Sequence, residues 1–71
     1  MPKLYSTDQI IRVLLQHGFV FISQKGSHKK YRKVGDPTLT AIVPAGRKEM
    51  PAGTFRSILK QSRLQIADFE N

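Results

Sequence analysis

Apolar residues near the start of the chain recur at the spacing that places them on one face of a helix. These residues are Ile10, Ile11, Leu14 and Leu15. Ser6 and Gln9 have the separation of a capping box, in which each side chain bonds the backbone N–H of the other residue. Gly18 suits the left-handed conformation that commonly follows a helix. The pattern predicts a first helix from about Thr7 to His17.

The next apolar segments are too short for helices and are rich in β-branched and aromatic residues, which favours strands. Three strands are predicted, over Phe19–Ile22, His28–Val34 and Leu39–Val43. Residues that form turns separate the strands, at Gln24–Ser27 and at Gly35–Thr38. The middle of the chain is therefore predicted to be a β-meander.

The last third of the chain reads as a loop, a second helix and a short tail. The loop covers Ala45–Gly53, and Thr54 is predicted to be the N-cap of the helix. The buried face of this helix would carry Phe55, Ile58, Leu59 and Ser62. We expect the tail, residues 64–69, to fold back so that Phe69 docks on the core.

The element order is therefore α-β-β-β-α, within a single domain over residues 1–71. Three consecutive strands form an antiparallel sheet, and two helices of this length can cover one of its faces. Because strand residues alternate between faces, Phe19 and Phe21 share a face and both are predicted to lie in the core. The predicted fold class is α+β, and the architecture resembles that of double-stranded-RNA-binding domains.

The charge balance indicates a nucleic-acid partner. Twelve Lys and Arg residues against five Asp and Glu give a net charge of +7 and an isoelectric point near 10.3. Five of the cations and no acid lie between Lys25 and Lys33, in the segment that contains His28. A solvated basic strand is the alternative interpretation. A membrane-surface helix is disfavoured because the cluster does not lie on an amphipathic helical pattern.

The lack of cysteines and of a long apolar segment bears on the expected cellular compartment. The chain has no cysteine, which suits a reducing cytosol. It has no run of roughly 20 apolar residues that would span a bilayer. We therefore expect a cytoplasmic protein with no membrane partner.

Few residues are available for catalysis. The two histidines, His17 and His28, lie on different predicted elements and have no metal-binding spacing, so neither a metal nor a cofactor is expected. Ser27 precedes His28 directly, and neighbouring strand residues point to opposite faces. This placement, together with the lack of a nucleophile elbow, disfavours a Ser-His-Asp arrangement.

RNA supplies its own nucleophile, the ribose 2′-hydroxyl, so that one histidine is chemically sufficient for cleavage. His28 could take the proton of that hydroxyl or protonate the leaving 5′-oxygen. Cations around it would stabilise the additional negative charge of the transition state. The candidates are Lys25, Lys29, Lys30 and Arg32. The scheme predicts a 2′,3′-cyclic phosphate product without a metal.

Structural roles remain open for the same residues. His28 is also explained as a hydrogen-bonding turn residue, and His17 as a residue that ends the first helix. Tyr31 either stacks on a base or belongs to the core. From the residues alone, we expect a basic α/β domain that binds RNA, in which His28 is a candidate for acting on that RNA.

The segment Gly26-Ser27-His28, followed by Tyr31, resembles the motif of the HicA toxin family, also called YcfA-like. Other elements fit in the same order. Ile42-Val43-Pro44 is similar to the family's strand that ends in proline, and residues 53–61 are similar to its second-helix motif. Phe69 matches its terminal apolar residue, so the resemblance covers essentially the whole chain.

The resemblance implies the toxin of a type II toxin–antitoxin system, which cleaves mRNA independently of the ribosome. It implies that His28 is the catalytic residue and that a HicB-type antitoxin protein covers the active surface. The resemblance and the charge pattern together give a set of expected RNA-binding residues: Lys25, Gly26, Ser27, Lys29, Lys30, Arg32, Arg47 and Lys48.

The chain departs from the family at one place. Many relatives carry a second histidine shortly after the proline that ends the third strand, where this chain has Ala45-Gly46-Arg47. Arg47 and Lys48 would supply charge there rather than proton transfer.

Two other functions fit the same residues. The first is a non-catalytic RNA-binding module that has the fold and the charge. The second is a protein-interaction partner whose basic face recognises an acidic antitoxin or adaptor.

Overall fold

The computed structural model describes residues 4–70, and its elements follow the predicted order. The elements are α1 (Thr7–Gln16), β1 (Val20–Lys25), β2 (His28–Lys33), β3 (Leu39–Pro44), α2 (Ala52–Ser62) and a C-terminal 3₁₀ helix (Ile66–Phe69). The strands form one antiparallel sheet in the order β1-β2-β3, with the two helices on one face. The predicted α+β fold is confirmed. No helix in residues 4–70 has the length and apolar character needed to cross a membrane.

The start of α1 is fixed by the predicted capping box. The Ser6 hydroxyl accepts a hydrogen bond from the Gln9 backbone N–H at 3.1 Å, and the Gln9 side chain accepts one from the Ser6 N–H at 2.9 Å. Gly18 has a φ of 93°, as expected for the left-handed residue after a helix. These two local signals set the length of α1.

A two-residue turn joins β1 to β2. Lys25 pairs with His28 across the turn, and Gly26 has a φ of 59°. A positive φ at the first of two turn residues is typical of a type II′ hairpin and favours glycine at that position. The turn sets the register in which β2 is the central strand.

The core lies between the sheet and the helices. Tyr31 of β2 is only 4% exposed, and both its partner Ala41 in β3 and Val43 on the same face are buried. Tyr31 therefore belongs to the core, and the alternative role of stacking on a base does not apply to it. The buried cluster consists of Tyr5, Ile10, Leu14, Phe19, Tyr31, Ala41, Val43, Met50, Ile58 and Phe69.

The prediction that Phe19 and Phe21 both lie in the core is wrong for Phe21. Phe19, just before β1, is buried, whereas Phe21 is 52% exposed. Phe21 pairs with Tyr31 and so shares the helix-facing side of the sheet, with a ring centroid distance of 5.7 Å. The helices, however, pack mainly against β3, at the other end of the sheet. Phe21 is exposed because the helices pack mainly at the β3 end of the sheet.

The predicted start of α2 is also wrong. The helix begins at Ala52 with Pro51 as its N-cap, and Thr54 lies inside the first turn. The Pro51 carbonyl accepts the first helical hydrogen bond, from the Phe55 N–H at 2.9 Å. Met50 immediately before it is fully buried, which fixes the position of the helix start by packing.

The buried face of α2 and the docking of the tail follow the prediction. Ile58 and Ser62 are buried, with Phe55 and Leu59 packed against the core. The Phe69 ring lies 5.0 Å from that of Phe55 and 5.7 Å from that of Tyr5, measured between centroids. The C-terminal 3₁₀ helix thus closes an aromatic cluster beneath α2.

His17 ends α1, as its helix-end interpretation predicted. It is the C-cap residue, and its Nδ1 lies 2.9 Å from the Val13 carbonyl oxygen. Its Nε2 lies 3.6 Å from a carboxylate oxygen of Asp68 in the 3₁₀ helix. His17 therefore has structural partners at both ring nitrogens.

Candidate nucleic-acid interface

His28 is the first residue of β2 and is exposed to solvent. It lies between two strands, paired with Lys25 of β1 and with Pro44 of β3. The turn before it is held by two hydrogen bonds, from the Gln24 side chain to the Gly26 carbonyl at 2.9 Å and from the Ala45 N–H to the Ser27 carbonyl at 2.6 Å. The backbone thus presents an exposed imidazole from a restrained position.

Strand alternation divides the basic cluster between the two faces of the sheet. Tyr31 marks the helix-covered face, so His28, Lys30 and Arg32 lie on the opposite face. Lys25 joins them, because directly paired residues of antiparallel strands share a face. We call Lys25, His28, Lys30 and Arg32 the open-face cluster. In this cluster the candidate catalytic imidazole of His28 lies on the same face of the sheet as three cationic side chains.

Not every expected RNA-binding residue belongs to the open-face cluster. Lys29 lies on the helix-covered side with Tyr31 and is half-buried. Gly26 and Ser27 form the turn itself, at the edge of the cluster. The basic run from residue 25 to 33 is visible in the sequence. The pairing register shows that its side chains divide between the two faces of the sheet.

Arg47 and Lys48 follow β3 in an exposed loop whose start is fastened to α1. The Thr7 N–H donates to the Arg47 carbonyl at 2.9 Å, and the Arg47 N–H donates to the Thr7 hydroxyl at 2.9 Å. The same hydroxyl donates to the Pro44 carbonyl at 2.7 Å. We call these three bonds the Thr7 clasp. It anchors the basic loop beside the strand end that pairs with His28.

Sequence reasoning missed the role of Thr7. Threonine after a helix N-cap has no pattern that marks it for burial, yet the residue is 3% exposed. Its three hydrogen bonds go to two residues, Pro44 and Arg47, at sequence separations of 37 and 40. Only the folded arrangement brings them together.

The ionisation of Tyr31 is perturbed by its surroundings. Burial, and secondly the negative charge of Asp8, raise the pKa of Tyr31 above its ordinary value of 10.0. The phenol therefore stays protonated in neutral solution. A buried, protonated phenol is not suited to act as a base on RNA.

The sheet carries basic side chains and no acidic ones. All five acids lie outside the strands: Asp8, Asp36, Glu49, Asp68 and Glu70. Within residues 4–70, no group of three or more His, Cys, Asp or Glu side chains is arranged to hold a metal ion. The chemistry displayed by the open face is therefore one imidazole among cations, as expected for a surface that contacts phosphates.

A family comparison agrees with this arrangement. Residues 7–64 match the model of the family described as the HicA toxin of bacterial toxin–antitoxin systems. The chain belongs to the HicA toxin family. This HicA protein is therefore the toxin of a toxin–antitoxin system and has an antitoxin partner. Comparison with curated proteins gave no match.

The resemblance seen in the motif residues is thus confirmed at the level of the family. The matched segment of this HicA chain runs from the first residue of α1 to two residues after α2 and includes the whole sheet. The hairpin with His28 and the loop with Arg47 both lie inside it.

Proposed function

We propose that this HicA chain is an endoribonuclease that cleaves mRNA without a metal and independently of the ribosome, with His28 as its general acid or base. The observation that carries the proposal is the position of His28, exposed on a sheet face without acids, paired with Lys25 and two residues before Lys30. RNA phosphates are the ligand that such a face attracts.

The proposed reaction needs no nucleophile from the protein. The ribose 2′-oxygen attacks the adjacent phosphorus, and the bond from phosphorus to the 5′-oxygen of the next nucleotide breaks. The proton of the 2′-hydroxyl leaves and the 5′-oxygen gains one, so the products are a 2′,3′-cyclic phosphate and a 5′-hydroxyl. His28 mediates one of these two proton transfers.

The cations of the open-face cluster have a separate role. Negative charge on the phosphoryl oxygens increases in the transition state, and prearranged positive groups stabilise it. Lys30 and Arg32 follow His28 on the same face of β2 and Lys25 pairs with it, so we assign these three to the phosphates. Lys29 faces away from His28 and is assigned a smaller contribution.

The second proton-transfer group is not supplied by the residues near His28. The loop after Pro44 offers Arg47 and Lys48, which we propose contact the RNA through charge, and Tyr31 is buried and protonated. Solvent water then completes the proton balance. With His28 mediating one proton transfer and water the other, we expect a slow enzyme whose rate depends mainly on His28.

The antitoxin is proposed to be of the HicB type and to inhibit by occupying the surface that binds RNA. A partner with acidic side chains would be steered to the open-face cluster by charge. A complex in which His28 stays accessible to RNA would contradict this proposal.

Product analysis tests the chemistry. Purified toxin is incubated with a defined RNA in EDTA, and the new ends are identified. We expect cleavage with 2′,3′-cyclic phosphate and 5′-hydroxyl ends. Products with 3′-hydroxyl and 5′-phosphate ends, or activity only on addition of a divalent metal, would overturn the one-histidine mechanism.

A non-catalytic RNA-binding module is the second candidate. Within residues 4–70, His28 is the one candidate for proton transfer on the open face, so a surface that binds RNA without cleaving it fits the same residues. It predicts RNA binding that weakens steeply with salt. Under the same EDTA conditions the RNA would stay intact.

A further inference from the structure

The two edges of the sheet differ in whether they are covered. At the β3 edge, the side chain of Gln61 from α2 accepts a hydrogen bond from the Ile42 backbone N–H at 2.9 Å. Within residues 4–70 the β1 edge has no such contact: β1 is the terminal strand, pairs with β2 alone, and all six of its residues are exposed. The β3 edge thus has one outward N–H satisfied by α2, whereas β1 offers its outward backbone groups to a further strand.

The first three residues of β1 are apolar and exposed, although they point to different faces of the sheet. Val20, Phe21 and Ile22 are all exposed, and none of them carries a charge. Edge strands in soluble proteins usually bear charges or proline that prevent pairing with other chains. Here the protection is limited to Lys25 at the far end and to an irregularity in register between Phe21 and Ser23. Such an edge is suited to accept another strand.

The positive charge around β1 indicates which type of added strand would be compatible with its edge. Lys25 ends β1, and Lys30 and Arg32 pair with its residues Ser23 and Val20 on the open face. No acid lies on any strand. A second copy of this chain would bring another +7 net charge to the same edge. The edge therefore fits an extended segment with apolar and acidic side chains, and not a second copy of itself.

We propose that the antitoxin binds this toxin by adding an extended strand to the β1 edge, with acidic side chains directed toward the open-face cluster. Main-chain hydrogen bonds would supply affinity, and the alternating side chains would supply specificity. A strand added there lies about 4.8 Å from β1, so that its side chains on the open face reach toward Lys25 and Arg32. The inference rests on the proposed role of the antitoxin at this surface, and it does not depend on catalysis by His28.

Residue-resolved amide hydrogen exchange tests the docking on the unmodified chain. Exchange is compared between the free toxin and its complex with its purified cognate antitoxin. Alternate amides of β1 already bond to β2, and the others point outward. We expect the outward amides of residues 20–25 to slow by about tenfold or more in the complex. Unchanged exchange in β1, or protection that appears when the toxin alone is concentrated, would overturn the proposal.

Matched substitutions test the side chains. Ile22→Glu places a negative charge on the β1 edge. Val34→Glu is the control, since it adds the same charge just after β2, at a position that is 81% exposed. We expect Ile22→Glu to weaken antitoxin binding by about tenfold or more and Val34→Glu to leave it nearly unchanged. Ile22→Thr, which keeps a β-branched side chain, is expected to give a smaller loss in the same direction. Equal affinities for all variants would contradict strand addition.

RNA cleavage by the same variants separates the two proposals. Wild type, Ile22→Glu and Val34→Glu are expected to cleave RNA equally without antitoxin, since neither position belongs to the open-face cluster. Antitoxin binding through β1 without any RNA cleavage would retain the docking and reject the catalytic proposal. Cleavage with antitoxin affinity unaffected by Ile22→Glu would do the reverse.

Discussion

At the scale of single residues, two adjacent lysines of β2 have different environments. Lys30 lies on the open face with His28, and Lys29 lies on the helix-covered face with Tyr31. Both are half-buried, so the two differ mainly in the face from which the charge projects. Replacing either lysine removes one positive charge from the same strand, so the two variants can be compared at equal net charge.

We predict that Lys30→Ala weakens RNA binding more than Lys29→Ala. Loss of one phosphate contact is expected to lower affinity roughly three- to tenfold and to reduce the salt slope by about one. Lys29→Ala should leave the salt slope close to that of wild type. Binding titrations at several salt concentrations measure both. Equal slopes for the two variants would contradict the assignment of faces.

Residue-scale chemistry was predictable where it is local. The glycine turn before His28 and the basic run after it are read directly from neighbouring residues. The exposure of Phe21 was not predictable, because alternation gives its face but not whether a helix covers that part of the sheet. The separation of Lys29 from His28 follows from alternation once the first residue of β2 is known.

At the scale of elements, the Thr7 clasp connects the start of α1 to the end of β3. One hydroxyl both accepts from the Arg47 N–H and donates to the Pro44 carbonyl. The strand end that it restrains is the one that pairs with His28. The clasp therefore links the stability of the fold to the position of the basic loop.

We predict that Thr7→Val destabilises the protein, because it removes the hydroxyl and keeps the side-chain shape. The Arg47 N–H and the Pro44 carbonyl then lose their partner, at a cost of about 1–3 kcal/mol. Urea denaturation measures the change in the free energy of unfolding. Thr7→Ser, which keeps the hydroxyl, should recover most of it. A valine variant as stable as wild type would show that the clasp contributes nothing.

The two helix starts show why elements differ in predictability. The start of α1 is specified by a hydrogen-bonded pair three residues apart, and the pair is present as predicted. The start of α2 has no side-chain cap and is set instead by the buried Met50 and by Pro51. Packing of Met50 depends on distant residues, so the polar Thr54 was a misleading local signal.

At the scale of the whole molecule, the core extends beyond the segment that matches the family. Tyr5 and Phe69 both lie outside residues 7–64, yet their rings pack against each other at 5.7 Å and against Phe55. In a chain of 71 residues, two aromatic side chains are a substantial part of the core. The ends of the described chain therefore stabilise the sheet that carries His28.

We predict that Phe69→Ala lowers the free energy of unfolding by about 3–5 kcal/mol, as expected for truncation of a buried aromatic residue. Ile66→Ala, on the same 3₁₀ helix but at an exposed position, should change it by about 0.5 kcal/mol or less. Thermal and urea unfolding compare the two variants. Similar effects for both would show that the tail does not dock through Phe69.

The central claim is that His28 carries the chemistry of RNA cleavage, and single-turnover cleavage of a defined RNA in EDTA tests it most directly. His28→Ala is compared with wild type and with His17→Ala, which removes the other histidine. His28→Ala is expected to cleave about 10²- to 10⁴-fold more slowly while it still binds RNA. His17→Ala should cleave at nearly the wild-type rate. A folded His28→Ala variant that cleaves RNA as fast as wild type would contradict the account.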